Sequence, residues 1–202
     1  MWGMCFVDVF WIPVGAGTSR LQRASLQWWE ALEAARARRP RGVLYHSALK
    51  LGLDGEGVST LELTPAFVAS PVPALMTGPV GARPAGRFKL FRYELRLVPG
   101  AVLPDETWAV GEPIRLADER TTVERIVEFA GMVPAYTWGR RVKGTAEMWT
   151  SDSVVSWLLA KAGLEPMDAR APADGRAPGW TAGVEVARRT EHAAVPSGVR
   201  GI

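Results

Sequence analysis

Cysteine is nearly missing from these 202 residues, and Cys5 stands alone. A single thiol excludes an internal disulfide and any zinc site built from several cysteines, and it suits a reducing compartment. Histidine is almost as scarce: His46 and His192 are the two present, so any histidine-dependent chemistry has two candidates. Long apolar runs are lacking as well, since no stretch approaches the ~18 apolar residues that span a bilayer. The apolar stretch from Met4 to Val14 has no basic leader and contains Asp8, so it does not read as a secretory signal. These absences lead to the expectation of a soluble cytoplasmic protein with no membrane partner.

Strong charge of one sign is also absent. Lys plus Arg number 24 against 21 Asp plus Glu, a net charge of +3. The basic run Arg36, Arg38, Arg39 and Arg41 suits the negative end of a helix dipole, and no aromatic-rich recognition motif accompanies it, so no nucleic-acid partner is expected. No histidine pair stands at ligand spacing, and Asp54-Gly55-Glu56-Gly57 reads as a turn rather than a calcium loop. Gly15-Ala16-Gly17-Thr18 lacks the third glycine of a dinucleotide fingerprint. Hence no metal and no cofactor are expected; the partner expected is a small-molecule substrate.

What is present is an ordinary globular balance, 48% hydrophobic and 22% charged residues. A chain of this length holds one well-buried domain, read here as 1–190 with a frayed tail over 191–202. Cys5 to Val14 reads as a buried strand, and from Thr18 or Ser19 the period becomes helical until Pro40. A hairpin follows: strand Val43 to Leu51, turn Asp54 to Gly57, return Val58 to Leu63. Pro65 to Pro84 reads as a long loop. Gly86 to Leu97 alternates as a strand whose core face is Lys89, Phe91, Tyr93, Leu95 and Leu97. Thr107 to Leu116 gives short strands, and Asp118 to Ala130 a helix with Val123, Ile126, Val127 and Ala130 as its apolar stripe. Val184 and Val186 read as a further edge strand. The sum is an α+β domain, a mainly antiparallel sheet from the strands around residues 5, 45, 60, 92 and 112 with helices packed on it.

The chemistry concentrates where Met148-Trp149-Thr150-Ser151-Asp152-Ser153 runs into the apolar helix Val154 to Leu159. Thr150, Ser151, Asp152 and Ser153 are all good N-cap types, and on spacing alone a cap is the economical reading. The functional reading is that a hydroxyl nucleophile at a helix start gains from the dipole and from free N–H groups that can hold an oxyanion. His46, in the hairpin's first strand, is the matching base. Glu62, on the returning strand, is the candidate to orient it, with Thr60 as substitute. Asp152 is set aside because a residue adjacent to the nucleophile on a helix projects elsewhere. Trp138, Arg140 and Trp149 flank the motif and suit substrate binding, arginine by pairing with a carboxylate and tryptophan by apolar contact.

A histidine opening a hairpin strand, followed much later by a polar motif at a helix head, resembles the circularly permuted papain-like enzymes. That group contains the lecithin:retinol acyltransferase-like and YiiX-like proteins, whose helix begins Asn-Cys-x-x-Phe-Val. Here Thr150-Ser151-Asp152-Ser153-Val154-Val155 stands in that register, with Ser151 where the cysteine would be. The chain also resembles a group of actinobacterial proteins that share a Gly-Arg-Ala-Pro-Gly-Trp segment, here Gly175 to Trp180, although Arg141 replaces the acidic residue expected after Trp-Gly-Arg. The resemblance implies a permuted papain-like fold and acyl transfer or hydrolysis of a small amide or ester by Ser151, His46 and Glu62. Because serine, unlike cysteine, needs a base to remove its proton, two other outcomes stay open. One is a binding or scaffold protein with a degenerate site; the other is a pocket enzyme using His46 or Glu62 for acid–base cyclisation or isomerisation.

Overall fold

The computed structural model describes residues 5–15, 42–100, 103 and 106–194. The helix expected from Thr18 to Pro40 lies outside them, as does the end of the chain beyond Ala194. Seven strands, β1 (Phe6–Pro13), β2 (Val43–Leu53), β3 (Gly57–Pro65), β4 (Met76–Pro79), β5 (Arg92–Pro99), β6 (Ile114–Ala117) and β7 (Gly175–Arg176), are joined by three α-helices among the described residues. The helices are α1 (Arg120–Ala130), α2 (Ser151–Lys161) and α3 (Trp180–Ala194). Strand order is β4-β5-β3-β2-β1-β6, antiparallel throughout, and the short β7 adds to β2 in parallel. The mixed architecture and mainly antiparallel sheet agree with the sequence expectation.

The apolar run of β1 is buried because it lies between β2 and β6. Its one charge, Asp8, is accommodated by a two-pronged pair with the Arg115 guanidinium on β6, so the carboxylate is not left alone among apolar groups. One core face joins Val7, Val9 and Trp11 of β1 to Tyr45, Leu49 and Leu51 of β2 and to Val154, Trp157 and Leu158 of α2. The opposite face carries a smaller cluster of Phe10, Ile12, Ala48 and Leu103.

Several local expectations are corrected. The strand expected from Gly86 begins only at Arg92; residues Arg83–Arg87 and Lys89–Phe91 form 3₁₀ turns instead. The cause is the Arg92 side chain, which donates to the carbonyls of Gly86 and Arg87 and folds the segment back on itself. Lys89 and Phe91 are therefore exposed, while Tyr93 and Leu95 keep the core positions expected of them. The expected loop from Pro65 contains a real strand, β4, paired with β5. The segment Thr107 to Leu116 supplies only β6, after a 3₁₀ turn over Glu106–Trp108. Val184 and Val186 belong to α3, not to an edge strand, and that helix extends four residues into the expected tail.

The reason α3 is a helix is its packing on α2. Gly183 lies so close to the α2 backbone that an added Cβ would fall 2.1 Å from the Ser153 carbonyl oxygen and from Ser156 Oγ. Both serines use that proximity: Ser153 Oγ–H donates to the Gly179 carbonyl and Ser156 Oγ–H to that of Trp180, each at 2.7 Å. The polar residues inside α2 thus bind a neighbouring helix.

Candidate active site

α2 begins at Ser151, with Thr150 as its N-cap in extended conformation. Thr150 and Ser153 form a reciprocal capping box, in which the Thr150 N–H donates to Ser153 Oγ at 3.0 Å. Thr150 Oγ–H also donates to the Pro178 carbonyl at 2.6 Å, and Glu147 accepts from the N–H groups of Gly179 and Thr181. The Gly175 to Trp180 segment thereby wraps around the head of α2. Gly175 has no room for a side chain, since a Cβ there would meet the Tyr45 ring at 2.4 Å.

On the sheet side, one edge of β2 is shared by two partners. β3 takes Leu49 to Leu53 and β7 takes Val43 and Leu44, while β1 occupies the other edge from Tyr45 to Gly52. Between them β2 has an interval without a strand partner, and α2 fills it: the Asp152 carboxylate accepts the Ser47 N–H at 2.7 Å and Ser47 Oγ–H at 2.8 Å. A side chain at the second position of the helix does the work of a missing strand. Burial of Asp152 raises its carboxyl to about 7 despite the opposing effect of the Ser47 hydrogen bonds, and Glu147 adds to the rise.

A cavity of about 460 Å³ lies at this edge. Ser151, His46 and Trp138 border it, with Tyr45, Thr150 and Asp152, and Val14, Leu44, Met148 and Pro178 complete an apolar wall. Leu44, Tyr45 and His46 are consecutive, so both faces of β2 reach the cavity. His46 stands opposite Ile12, on the face of the smaller cluster; Ser47 stands opposite Trp11, on the face that α2 covers. His46 and Ser151 thus approach the same space from opposite sides of a strand edge.

The other expected site residues are not brought there. Glu62 is opposite Arg96 of β5 and accepts Thr60 Oγ–H at 3.3 Å; it is not among the residues bordering the cavity, and β2–β3 pairing stops at Leu49, short of His46. Trp149 is wholly enclosed, its indole N–H donating to Tyr93 Oη at 3.1 Å and its ring packed against Tyr136. Arg140 donates to the Gly81 carbonyl, tying two loops together. Trp149 and Arg140 thus hold the framework, and Trp138 alone of the three flanking residues borders the cavity.

Sequence reasoning missed two residues. Asp152 reaches into the gap in β2, where it bonds Ser47, and it also borders the same cavity as Ser151. Tyr45 borders the cavity and donates to Asp174 at 3.0 Å; burial raises the phenol, and Asp174 raises it further. The near-invisible signal for Asp152 was an acidic residue in the first turn of a helix otherwise destined for the core. Among the described residues no group of His, Cys, Asp and Glu is arranged to hold a metal ion, and no helix is long and apolar enough to cross a membrane. Compared with family models, curated proteins and solved structures, the chain matches none.

Proposed function

We propose that the cavity carries out serine-dependent acyl transfer or hydrolysis on a small amide or ester with an apolar body. The observation that supports this reading is the meeting of Ser151, at the first position of a helix, with His46 on the border of one largely apolar cavity. In this reaction Ser151 Oγ attacks the carbonyl carbon as His46 takes its proton. The oxyanion is held by N–H groups at the start of α2, where the helix dipole also favours negative charge. The C–N or C–O bond then breaks, and His46 returns the proton to the leaving amine or alcohol. Water or a second acceptor, deprotonated by His46, then attacks the acyl carbon, the bond to Ser151 Oγ breaks, and His46 returns the proton to that oxygen. Permuted papain-like geometry belongs to the same proposal; Glu62, opposite Arg96 and off the cavity border, has no part in it.

The test is intact-mass spectrometry after treatment with a fluorophosphonate. One adduct per chain, mapped to Ser151, absent in Ser151→Ala and slowed at least tenfold in His46→Gln, is the expected result. No adduct, or an adduct indifferent to both substitutions, overturns the mechanism. A second reading is favoured by the elevation of Asp152 to about 7: proton transfer by Asp152 to a substrate that Ser151 only hydrogen-bonds. That reading survives a failed labelling experiment and requires turnover to vanish in Asp152→Asn while ligand binding persists.

A further inference from the structure

From Leu63 to Tyr93 the chain contains no aspartate or glutamate, yet it carries Arg83, Arg87, Lys89 and Arg92. The same stretch exposes large apolar side chains: Phe88 is 53% exposed, Leu90 62% and Phe91 42%, with Phe67 at 55% beside them. The two exposed segments meet at Arg92, because the Ala66 N–H donates to the Arg92 carbonyl while Arg92 clamps the Gly86 and Arg87 carbonyls. Arg92 is therefore occupied in holding the surface together. Arg83, Arg87 and Lys89 are the exposed cations around it.

We propose that this surface docks on an anionic lipid bilayer. Apolar tips ringed by long basic side chains match the boundary between headgroups and acyl chains, where phenylalanine and leucine enter and arginine and lysine reach back to phosphate. Nucleic acid fits less well. Leu90 offers no face for stacking, and Arg87 already lies over the Phe88 ring at 4.6 Å from its centroid, covering one face a base would use. A second copy of the chain fits less well too, since a two-fold pairing of this patch would set cations against cations. The surface is tied to the cavity through backbone hydrogen bonds. Pro79, Val80 and Gly81 run between them, with the Val80 N–H donating to the Phe91 carbonyl, and Trp138, on the cavity border, bonded to Pro79 and Gly81. Docking would hold the apolar cavity close to the lipid, whatever chemistry Ser151 performs.

Sedimentation of the full chain with vesicles tests the proposal, comparing phosphatidylglycerol–phosphatidylcholine mixtures with pure phosphatidylcholine. Partitioning onto the anionic vesicles, weakened by salt and near background on neutral ones, is expected. Near an anionic surface each cation contributes about fivefold, so the triple variant Arg83→Glu, Arg87→Glu, Lys89→Glu loses at least a hundredfold. A second variant, Phe88→Ser with Leu90→Ser and Phe91→Ser, keeps the charge and loses at least tenfold. Both sets of residues are exposed, and circular dichroism and the melting temperature should match the parent chain. Absence of binding to anionic vesicles overturns the proposal, as does binding unchanged in both variants. Binding of a short RNA without vesicle binding, or a dimer abolished by the serine variant, also overturns it. None of these readouts depends on labelling of Ser151.

Discussion

Enclosing Asp152 behind Ser47 has an energetic consequence at the scale of one residue. Its carboxyl rises from 3.8 to about 7 on folding, so the folded chain holds a proton that the unfolded chain releases. Stability from this group is fully present below pH 4 and is lost as pH climbs through 7, a difference on the order of a few kcal/mol. Asn presents the same acceptor oxygen to the Ser47 N–H and hydroxyl without ever acquiring charge. Asp152→Asn is therefore expected to flatten the stability profile between pH 4 and 7 and to exceed the parent chain in stability at pH 8. Urea unfolding at a series of pH values measures this; a variant less stable at pH 8 than the parent would show that the carboxylate is held as an anion. The same exchange removes the proton donor of the acid–base reading, so one variant serves both questions.

At the scale of elements, α2 and α3 come closest where small residues and short polar bonds meet, beside the apolar core they share. Gly183→Ala forces a methyl group into the Ser153 carbonyl and Ser156 hydroxyl, and backbone on one side leaves little room to yield. Overpacking of this kind costs roughly 1–3 kcal/mol, visible as a lower urea midpoint with an unchanged slope; parent-like stability would mean that the helices can separate freely. This crossing also shows what the sequence could reveal. The hairpin β2–β3, most of the α1 stripe (Val123, Ile126 and Ala130, with Val127 exposed) and the start of α2 were legible because their apolar periods and turn or cap residues agree. α3 was obscured because its closest approach to α2 is made by Gly183 and serine-bound carbonyls, which break up the apolar period of Trp180, Val184 and Val186. The Gly86 to Phe91 segment misled for the opposite reason: its alternation was real, but Arg92 spends its guanidinium on folding that segment away from the sheet. For the site, the sequence named three residues that border the cavity, His46, Ser151 and Trp138. Asp152 and Tyr45 gain their roles only from the interval without a strand partner in β2, a property of strand pairing a hundred residues from α2.

At the scale of the molecule, one contiguous core decides how the described parts come apart. Cys5 and the β1 residues Val7, Val9 and Trp11 share a cluster with Trp149 and Trp157, near or in α2, and with Trp180 of α3. The sheet and both helices therefore lose their buried area together, and no smaller cluster is large enough to persist alone, the second being four buried residues around Phe10 and Ile12. Three observables report on this unit: tryptophan fluorescence on side-chain packing, since the nine tryptophans are spread along the chain, far-ultraviolet circular dichroism on the sheet and helices, and thiol titration on the start of β1. Cys5 is buried and the chain has no other thiol, so native protein should react slowly with a disulfide reagent and the reactive fraction should rise with unfolding. The three curves are expected to share one urea midpoint. A thiol that reacts at lower urea would mean that β1 detaches first; because β1 pairs along its whole length with β2, such fraying would uncover the β2 edge opposite β3 and β7 and, with it, Val7, Val9 and Trp11 of the core, so the core would open from the β1 side.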